Sequence, residues 1–425
     1  MTKLQEKTKN NEGYKKTKLG WIPEDWQEVR LGEIFDYIFS YSFSRSQLNY
    51  DTNNIMCIHY GDIHSNFPKI VDVEKEKNNI PKLNTDIEIN NDYFLKDGDL
   101  IIADASEDYE GVGKSILITN SKEHKIVSGL HTFVFRDNKN LTNKLYRGYF
   151  LYENNTKNKI RKIATGASVL GISKTNLSKI KISLPPVKEQ EIIADILSGA
   201  DEVIEATKEK IKLLKRRKNS LMQKLLAPQS HWVEKKLGSI GTFISGVGFS
   251  ENEQGGQKGI PFYKVSDMNL ASNEIIMTNS NNYVSLDQIT RLKYKVIDKP
   301  SIIFAKVGAA IFLERKRIAK DFLLDNNMMS FTSDINIYLM KNLFDTIRLS
   351  KFAQTGALPA YNAGDLRSIN ISIPPTTEEQ EQIASVLSTC DEEIKLYEQK
   401  LQMLEKQKKG LMQKLLTGTW RVQVS

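Results

Sequence analysis

The chain has 425 residues, 40% hydrophobic and 26% charged, which is typical of a globular protein with two or three domains and excludes a fibrous or disordered one. Two cysteines, Cys57 and Cys390, give neither a disulfide framework nor a zinc site, so they favour a reducing compartment. The polar N-terminus lacks a signal sequence and no window approaches a membrane span, which predicts a soluble, cytoplasmic protein with no membrane partner.

The formal net charge of +8 indicates a polyanionic partner only weakly. Half of this excess lies in the first 20 residues, which carry six lysines against Glu6 and Glu12. We therefore predict a flexible basic arm over residues 1–20. Two interpretations stay open for it, namely a solvated arm and one that contacts phosphate groups or a partner.

Two blocks, residues 21–186 and 228–374, are predicted to be rich in β-strands. Both contain short β-branched and aromatic runs separated by Gly, Asn and Asp, which is the composition of strands and turns. Their interiors differ, but Asp97–Ala103 (DGDLIIA) matches Asp298–Ala305 (DKPSIIFA). Each of these stretches predicts a turn that runs into a buried strand.

Two long helices are predicted from a segment that occurs twice. Each copy begins with paired prolines, continues through Glu-Gln and ends with Leu-Met-Gln-Lys-Leu-Leu, at residues 221–226 and 411–416. Proline and acidic residues suit the first turn of a helix, and apolar residues at alternating steps of four and three predict a coiled-coil seam. We assign a central helix to residues 187–227 and a C-terminal helix and tail to residues 375–425; about 38 helical residues would span roughly 57 Å. The seam, with its equivalents 190 residues later, consists of Ile193, Leu197, Ala200, Ile204, Thr207, Ile211, Leu214, Lys218, Leu221 and Leu225.

A lysine interrupts both seams at the same position, Lys218 and Lys408. One interpretation is snorkelling, in which the aliphatic stem packs and the ammonium group stays in water. The other is a device that sets the register of the helices or contacts a third partner. We favour snorkelling.

Sequences at the borders of the blocks repeat as well. Trp26 to Gly32 is echoed by Trp232 to Gly238, and Thr165–Ala167 is echoed by Thr355–Ala357. The chain ends with Trp420-Arg421-Val422, as if a third copy had begun. This arrangement predicts that the N-terminal and C-terminal segments are adjacent in space.

Polar and aromatic loops inside the blocks contain the residue types that contact nucleic acids. Arg and Lys bind guanine edges and phosphates, and Asn pairs with adenine. For any single residue, a solvated loop or a capped turn is the commoner alternative. The candidate DNA-binding residues are Ser42, Phe43, Arg45, Ser106, Tyr109 and Lys114 in the first block, and Tyr263, Lys264, Lys306, Arg315, Lys316, Arg317, Asn326 and Asn327 in the second.

No motif predicts a catalytic or metal site. Gly113-Lys114-Ser115 does not complete a phosphate-binding loop, because that motif needs a glycine where the chain has Asp108. The five histidines lack metal-ligand spacing. The acidic stretch Asp104–Glu110 lacks a counterpart in the second block and a lysine at a matching strand position, which argues against a nuclease site.

The order of these motifs, given twice over nearly the whole chain, resembles that of the specificity subunits of type I restriction-modification systems. The resemblance implies a mixed α/β (α+β) fold with two β-rich target recognition domains, residues 21–186 and 228–374. They would be separated by two long antiparallel coiled-coil helices in a pseudo-twofold internal repeat. In this family each domain reads one half of an interrupted site in double-stranded DNA, and the helix pair sets the gap.

The resemblance further implies that this subunit holds no cofactor and performs no chemistry. Two modification subunits would transfer a methyl group from S-adenosylmethionine to adenine N6, and restriction subunits would add cleavage that uses ATP and Mg. A helix of this length can bridge half-sites one DNA turn, about 34 Å, apart. Since the first block is longer than the second by 17 residues, the two half-sites should differ.

Two other functions stay open from the residues alone. A coiled-coil adaptor would bind proteins through its paired blocks, in a complex that is insensitive to salt and contains no DNA. An enzyme that acts on DNA unaided would show turnover by the purified chain with metal or S-adenosylmethionine.

Overall fold

The computed structural model describes residues 4–6, 12–51, 55–84, 87–354 and 358–422, with the backbone alone for residues 4–6. The chain divides into two units. The first unit contains Met1–Thr207 and Lys400–Ser425, and the second contains Lys208–Gln399. Each unit therefore holds one β-rich block and one end of each long helix.

The two predicted long helices are present and run over Val187–Leu225 and Thr377–Leu416. They begin just beyond Pro186 and Pro375, as the missing amide hydrogen of proline favours. The seam prediction is confirmed. The buried seam residues are Ile193, Leu197, Ile204, Thr207, Ile211 and Leu214 in the first helix and Ile383, Leu387, Cys390, Ile394 and Leu415 in the second.

Within each unit the two helix ends run antiparallel. In the second unit, Lys215 bonds Glu398 at 2.7 Å and Lys218 bonds Asp391 at 2.5 Å, so the residue number rises in one helix as it falls in the other. In the first unit, Leu197 and Leu415 belong to one core cluster, with the same reversal of direction. Burial of an apolar seam between such ends is the main stabilising contribution of these helices.

The seam lysines do not snorkel, so our preferred interpretation of them was wrong. The Lys218 ammonium lies 2.5 Å from Asp391 Oδ1, and both side chains are only 13% exposed. The same pair recurs in the first unit, where Lys408 bonds Asp201. Asp201 also accepts a hydrogen bond from the Tyr149 hydroxyl at 3.0 Å. A buried cation needs a paired anion, and these pairs fit the alternative of a device that sets the register.

In the residues of the first unit that the structure describes, a five-stranded sheet and a four-stranded sheet lie with five short helices. Its core lies between the five-stranded sheet, the strand pair of Gln27–Arg30 and Lys181–Leu184, and the ends of the long helices. In spatial order, the five-stranded sheet contains Asp36–Ile38, Thr132–Arg136, Leu100–Ala103, Ser115–Thr119 and Ile70–Asp72. The four-stranded sheet contains Ile126–Ser128, Met56–Ile58, Lys82–Leu83 and Leu48–Asn49. The helices are Leu31–Ile34, Tyr60–Ser65, Val73–Glu76, Asn154–Ile163 and Lys174–Ser178, and a further strand pair is Ala105–Ser106 with Leu170–Gly171.

The second unit is a smaller version of the same plan. Its four-stranded sheet contains Gly241–Ser245, Met328–Ser333, Ser301–Ala305 and Lys316–Ala319, in spatial order. A three-stranded sheet contains Tyr283–Val284, Ile260–Tyr263 and Leu323–Leu324. The helices are Leu237–Ile240, Leu286–Leu292, Ile337–Thr346 and Ala363–Arg367, and Ala353–Gln354 pairs with Ala360–Tyr361. The matched stretches of sequence form buried central strands in both units, Leu100–Ala103 and Ser301–Ala305, as predicted.

A border sheet closes each block at its junction with the long helices. Gln27–Arg30 pairs with Lys181–Leu184 in the first unit, and Val233–Lys236 pairs with Asn370–Ile373 in the second. A short helix follows the first strand of each pair. A Cβ atom at its glycine, Gly32 or Gly238, would lie 3.0 or 2.8 Å from a neighbouring side chain, so any larger residue there would displace that neighbour.

A Trp–Glu pair explains why tryptophan and Glu-Gln recur in the repeat. Trp26 Nε1 donates to Glu189 at 2.8 Å, and Trp232 Nε1 donates to Glu379 at 2.9 Å. Each pair ties the start of a block to the first turn of a long helix. The glutamine that follows each glutamate donates to a proline carbonyl at the helix entrance, at 2.8 Å from Gln190 and 3.0 Å from Gln380.

The N-terminal and C-terminal segments are adjacent, as predicted. Leu4–Glu6 pairs antiparallel with Trp420–Val422. The Tyr14 hydroxyl donates to the Gly418 carbonyl at 2.7 Å, and Arg421 bonds Glu189 at 2.8 Å. The terminal strand thus joins the Trp–Glu pair of the first unit.

The N-terminal segment differs from the flexible arm that we predicted over residues 1–20. Tyr14–Thr17 and Gly20–Pro23 form a β-hairpin, and the Lys15 ammonium donates to the Glu24 carbonyl. The many lysines of this segment suggested a solvated arm, and the composition alone gave no sign of the backbone pairing of the hairpin. Residues 1–3 and 7–11, with Lys3, Lys7 and Lys9, lie outside the described residues, as does the repeated Thr355–Ala357.

Candidate nucleic-acid interface

In the first unit, loops gather at one end of the five-stranded sheet. The central strand Leu100–Ala103 ends there, and both of its antiparallel neighbours begin there. The Ala103 amide donates to the Lys114 carbonyl at 2.9 Å, which brings the loop between these residues back to the same edge. Antiparallel pairing therefore collects residues 104–114 and His131 at one surface. We call this surface the first strand-end surface.

A cleft of about 790 Å³ opens on the first strand-end surface. Three of the candidate residues, Arg45, Ser106 and Lys114, line it together. The helix Tyr60–Ser65 forms one wall, and the loop at residues 106–113 forms the other. The structure thus unites residues that are up to 69 positions apart in the sequence.

Arg45 reaches the cleft with half of its side chain exposed. Its guanidinium donates to Asp62 Oδ1 at 2.9 Å and to the Tyr50 hydroxyl at 2.8 Å. These bonds fix the plane of the guanidinium, and the Tyr50 and Asp62 contacts raise its pKa. A held, half-exposed guanidinium suits recognition of a base edge or a phosphate group.

The other two candidates in the cleft are held more tightly. The Lys114 ammonium donates to the His64 carbonyl at 2.8 Å, and partial burial lowers its pKa. Ser106 is buried, and its hydroxyl accepts from the Asp108 amide at 3.2 Å. Lys114 still faces the cleft, whereas Ser106 shapes the loop.

The remaining candidates of the first block lie outside the cleft. Ser42 is exposed, while Phe43 is buried in a small cluster with Cys57 and Leu83. Tyr109 is 56% exposed on the loop beside the cleft. Phe43 therefore serves the fold, and we do not carry it into the interface.

Sequence reasoning missed two histidines of the cleft, His59 and His64. His59 caps the helix Tyr60–Ser65, because its Nδ1 accepts from the Gly61 amide at 3.1 Å, and burial lowers its pKa. Asp62 completes this cap by accepting from the His59 amide.

The second unit repeats the cap with other residues, which could have revealed His59. Lys264 stands before the turn Val265–Asn269, and its amide donates to Asp267 at 2.7 Å. An aspartate three residues after the capping position marks both turns. Lys264 is among the candidate residues, whereas His59, which occupies the same capping position in the first unit, is not.

In the second unit, the corresponding end of the four-stranded sheet carries Lys306, Asn326 and Asn327, which we call the second strand-end surface. Lys306 follows the central strand, and its amide donates to the Asn327 carbonyl at 2.7 Å. Its ammonium donates to the Ser245 hydroxyl at 3.2 Å. Asn326 and Asn327 are both exposed, and Asn327 also donates to Asp325, so it shapes the turn.

Arg315 is at the same end of the sheet, because Phe304 pairs with Lys316 in the adjacent strand. Its guanidinium bonds Asn269. The other basic candidates on this strand are less accessible to a ligand. Arg317 donates to the Asn273 carbonyl at 2.6 Å, and burial lowers its pKa.

Two candidates of the second block are buried and do not reach a ligand. Lys316 is 2% exposed, and its ammonium bonds Glu314 and the Ile347 carbonyl, each at 2.8 Å. Tyr263 is also 2% exposed and donates to the Met277 carbonyl. We withdraw both from the interface, since their side chains are buried and their polar atoms are bonded within the fold.

Apolar side chains are exposed next to the second strand-end surface. Phe312 and Leu313 follow the central strand and are 61% and 56% exposed. Leu358 is 63% exposed and lies 3.9 Å from the position that a Cβ atom of Gly308 would occupy. The two surfaces are thus alike in position and unlike in chemistry.

Among the residues that the structure describes, no group of three or more His, Cys, Asp or Glu is placed to hold a metal ion. The described helices include none that is both long and apolar enough to cross a membrane.

Two β-rich units, each with a polar surface at the same end of its central sheet, define a protein with two related recognition modules. The family model of the type I restriction modification DNA specificity domain matches residues 23–216 and 229–406. The chain belongs to this family and is a specificity subunit of a type I restriction-modification system, with two target recognition domains.

Individual relatives agree with this assignment. The chain is 28% identical over 445 residues to the putative type I restriction enzyme MjaX specificity subunit of Methanocaldococcus jannaschii, covering 97% of each. It matches the crystal structure of the type I restriction-modification S subunit from M. genitalium with a TM-score of 0.56 at 14% identity, over 97% of this chain and 99% of that one. A structure that concerns complex assembly and conformational transition of a type I system matches with a TM-score of 0.54 at 17% identity, over 94% and 99%. The two structures show a shared fold.

Proposed function

We propose that the chain recognises an interrupted, asymmetric site in double-stranded DNA, with one strand-end surface for each half-site. The main support for this proposal is that the equivalent ends of the two central sheets present different polar side chains. Arg45 and Lys114 are available in the first unit, and Lys306 and Asn326 are available in the second.

These groups match the chemistry of base edges. Arg and Lys donate to guanine O6 and N7, and an Asn side chain makes paired bonds with adenine. Basic residues elsewhere on the two blocks neutralise phosphates, so affinity should fall steeply with salt. Because the groups of the two surfaces differ, the half-sites should differ.

Methylation and cleavage belong to partner subunits in this proposal. Two modification subunits transfer a methyl group from S-adenosylmethionine to adenine N6, and restriction subunits supply cleavage with ATP and Mg. Family membership supports a complex, and a similar solved structure concerns the assembly of such a system. The chain itself contributes recognition, with no catalytic residue and no cofactor.

Modified-base sequencing of genomic DNA tests the proposal. Cells with and without this gene are compared while the partner modification subunit is expressed. The expected result is an interrupted motif, with N6-methyladenine in both of its unlike halves, that disappears on deletion. An unchanged methylation pattern with a stable partner would contradict DNA recognition and favour an adaptor.

A further inference from the structure

A groove with a volume of about 1310 Å³ runs along the edge of the four-stranded sheet in the second unit. It exceeds the roughly 300–1,000 Å³ of sites for small molecules. Residues 238–242 and 244–247 line one side, Lys293 and residues 295–299 line another, and residues 332–335 at the end of the paired strand also line it. We call this groove, which lies beside the outermost strand of the sheet, the edge groove.

The strand that lines the edge groove, Gly241–Ser245, is the last strand of its sheet. It pairs with Met328–Ser333 on one side, and within the described ranges no strand pairs with it on the other. The Gly246 amide donates to the Met328 carbonyl at 3.0 Å. Because hydrogen-bonded pairs alternate along an antiparallel ladder, the backbone amides and carbonyls of Thr242 and Ile244 point toward Met328–Ser333. The amides and carbonyls of Gly241, Phe243 and Ser245 therefore point away from Met328–Ser333, and Gly241 and Ser245 line the groove.

An unpaired edge of this kind is a template for one more strand. Edge strands are usually protected by a covering element, a bulge or an inward-pointing charge. Gly241–Ser245 contains no charged residue and no proline. Main-chain hydrogen bonds to such an edge provide affinity for an added strand, and flanking pockets provide selectivity.

The side chains around the edge specify the chemistry of that strand. Val233, Ile244 and Val247 line the groove and are 40%, 37% and 37% exposed. Three exposed lysines, Lys235, Lys293 and Lys295, also line it, and none forms an ion pair with another described residue. The fourth, Lys299, bonds Asp334 at 3.0 Å. Asp298 lines the groove as well, so the lysines leave a net positive charge there. Apolar contacts together with this positive excess favour an acidic segment that also carries apolar residues.

We propose that the edge groove binds an extended, acidic segment of a partner polypeptide, which adds as a strand to Gly241–Ser245. A phosphate backbone would be attracted by the lysines as well. However, it would leave the apolar residues uncovered and would use the amides but not the carbonyls of the edge. The proposal is independent of base recognition at the strand-end surfaces.

The test uses the full-length chain and a capped, fluorescein-labelled peptide of about nine residues in which Val and Glu alternate, to match the length of the lined edge. Fluorescence polarisation measures its Kd. The key control carries N-methyl groups on every residue of the peptide, which keeps its charge and side chains but removes its main-chain donors on both edges. We expect the methylated peptide to bind at least about tenfold more weakly, because several main-chain hydrogen bonds are lost.

The charge component is tested with Lys293→Glu/Lys295→Glu, expected to weaken the Val-Glu peptide at least about tenfold and to favour a Val-Lys peptide. Lys258→Glu, at an exposed lysine outside the groove, should leave the Kd unchanged. Equal binding of the methylated and unmethylated peptides would overturn the added-strand model. So would no measurable binding of the Val-Glu peptide, or its displacement by a short DNA duplex at equal charge concentration, which would assign the groove to phosphate.

Discussion

In both units a Trp–Glu pair ties the start of the β-rich block to a long helix, and we call this tie with the border sheet the frame. The frame has more buried partners in the first unit. Glu189, whose side chain is 1% exposed, accepts from both Trp26 and Arg421. Its equivalent Glu379 is 27% exposed and has Trp232 and His231 as partners. Only the first unit includes the paired terminal strands Leu4–Glu6 and Trp420–Val422. The Trp–Glu pair therefore has the same structural role in both units, and its contribution to stability should be larger where it is more deeply buried.

The largest expected effect separates these two glutamates. Glu189→Ala would leave the buried Trp26 indole N–H without an acceptor and the Arg421 guanidinium with Asp25 alone, which should lower the free energy of unfolding by about 4 kcal/mol. Glu379→Ala should cost clearly less, because its site is reached by water. Urea unfolding followed by circular dichroism measures both, and equal losses would show that burial does not distinguish the two frames.

The seam ion pairs should give the next largest effect. Asp391→Ala leaves the nearly buried Lys218 ammonium unpaired, so we expect a loss of roughly 3 kcal/mol in the free energy of unfolding. Lys218→Leu/Asp391→Leu should recover most of that loss, since it removes both charges. If the single and double variants unfold alike, the pair is not responsible for stability at this position.

Much of this frame could be predicted from the sequence, because it depends on local patterns. The seam of Ile193, Leu197 and their equivalents follows from a period of 3.5 residues, and the helix starts follow from proline and acidic residues. The partner of Lys218 could not be predicted in this way, since Asp391 is 173 positions away and is not itself a seam position but follows the seam residue Cys390.

The candidate interface was predictable in residue type but not in burial. Arg45 and Lys114 face a common cleft, whereas Lys316 and Tyr263 are buried in strands whose neighbouring residues are largely buried as well. Strand phase inside the variable blocks could not be read from such short runs. His59 was hidden for a different reason, since its role depends on capping a helix of six residues.

A smaller effect should distinguish the two strand-end surfaces. Asn326→Ala should weaken discrimination in one half-site by about 1–3 kcal/mol, and Arg45→Ala should do so only in the other half-site. Methylation of plasmid libraries with each half-site randomised measures both changes, and each variant is the control for the other. Loss of discrimination in the same half-site by both variants would refute separate readout.

The smallest effect concerns Lys69, which has no equivalent charge in the second unit, where Ile275 makes the same backbone bond. Burial, followed by repulsion from Lys408, lowers the pKa of Lys69 to about 8. The unfolded value is about 10.4, so the unfolded chain binds more protons between these values and the free energy of unfolding rises with pH across that window. Below pH about 8 both states are protonated and the penalty is complete.

Lys69→Met should therefore raise the Tm most at pH 7 and lose this advantage as the pH approaches 10. Thermal unfolding at several pH values, with Lys258→Met as an exposed control, measures the difference. A Tm gain that does not vary with pH would mean that the lysine is not strained by burial.

The central claim is that each unit reads its own half-site, and an exchange of blocks tests it most directly. The interior of the second block, residues 241–369, is replaced by the corresponding residues of the MjaX specificity subunit. This exchange leaves both Trp–Glu pairs and both long helices intact. Modified-base sequencing should then show one half of the methylated motif changed and the other half retained. A change in both halves, or in neither while the chimera is stable and its partner is expressed, would contradict the account.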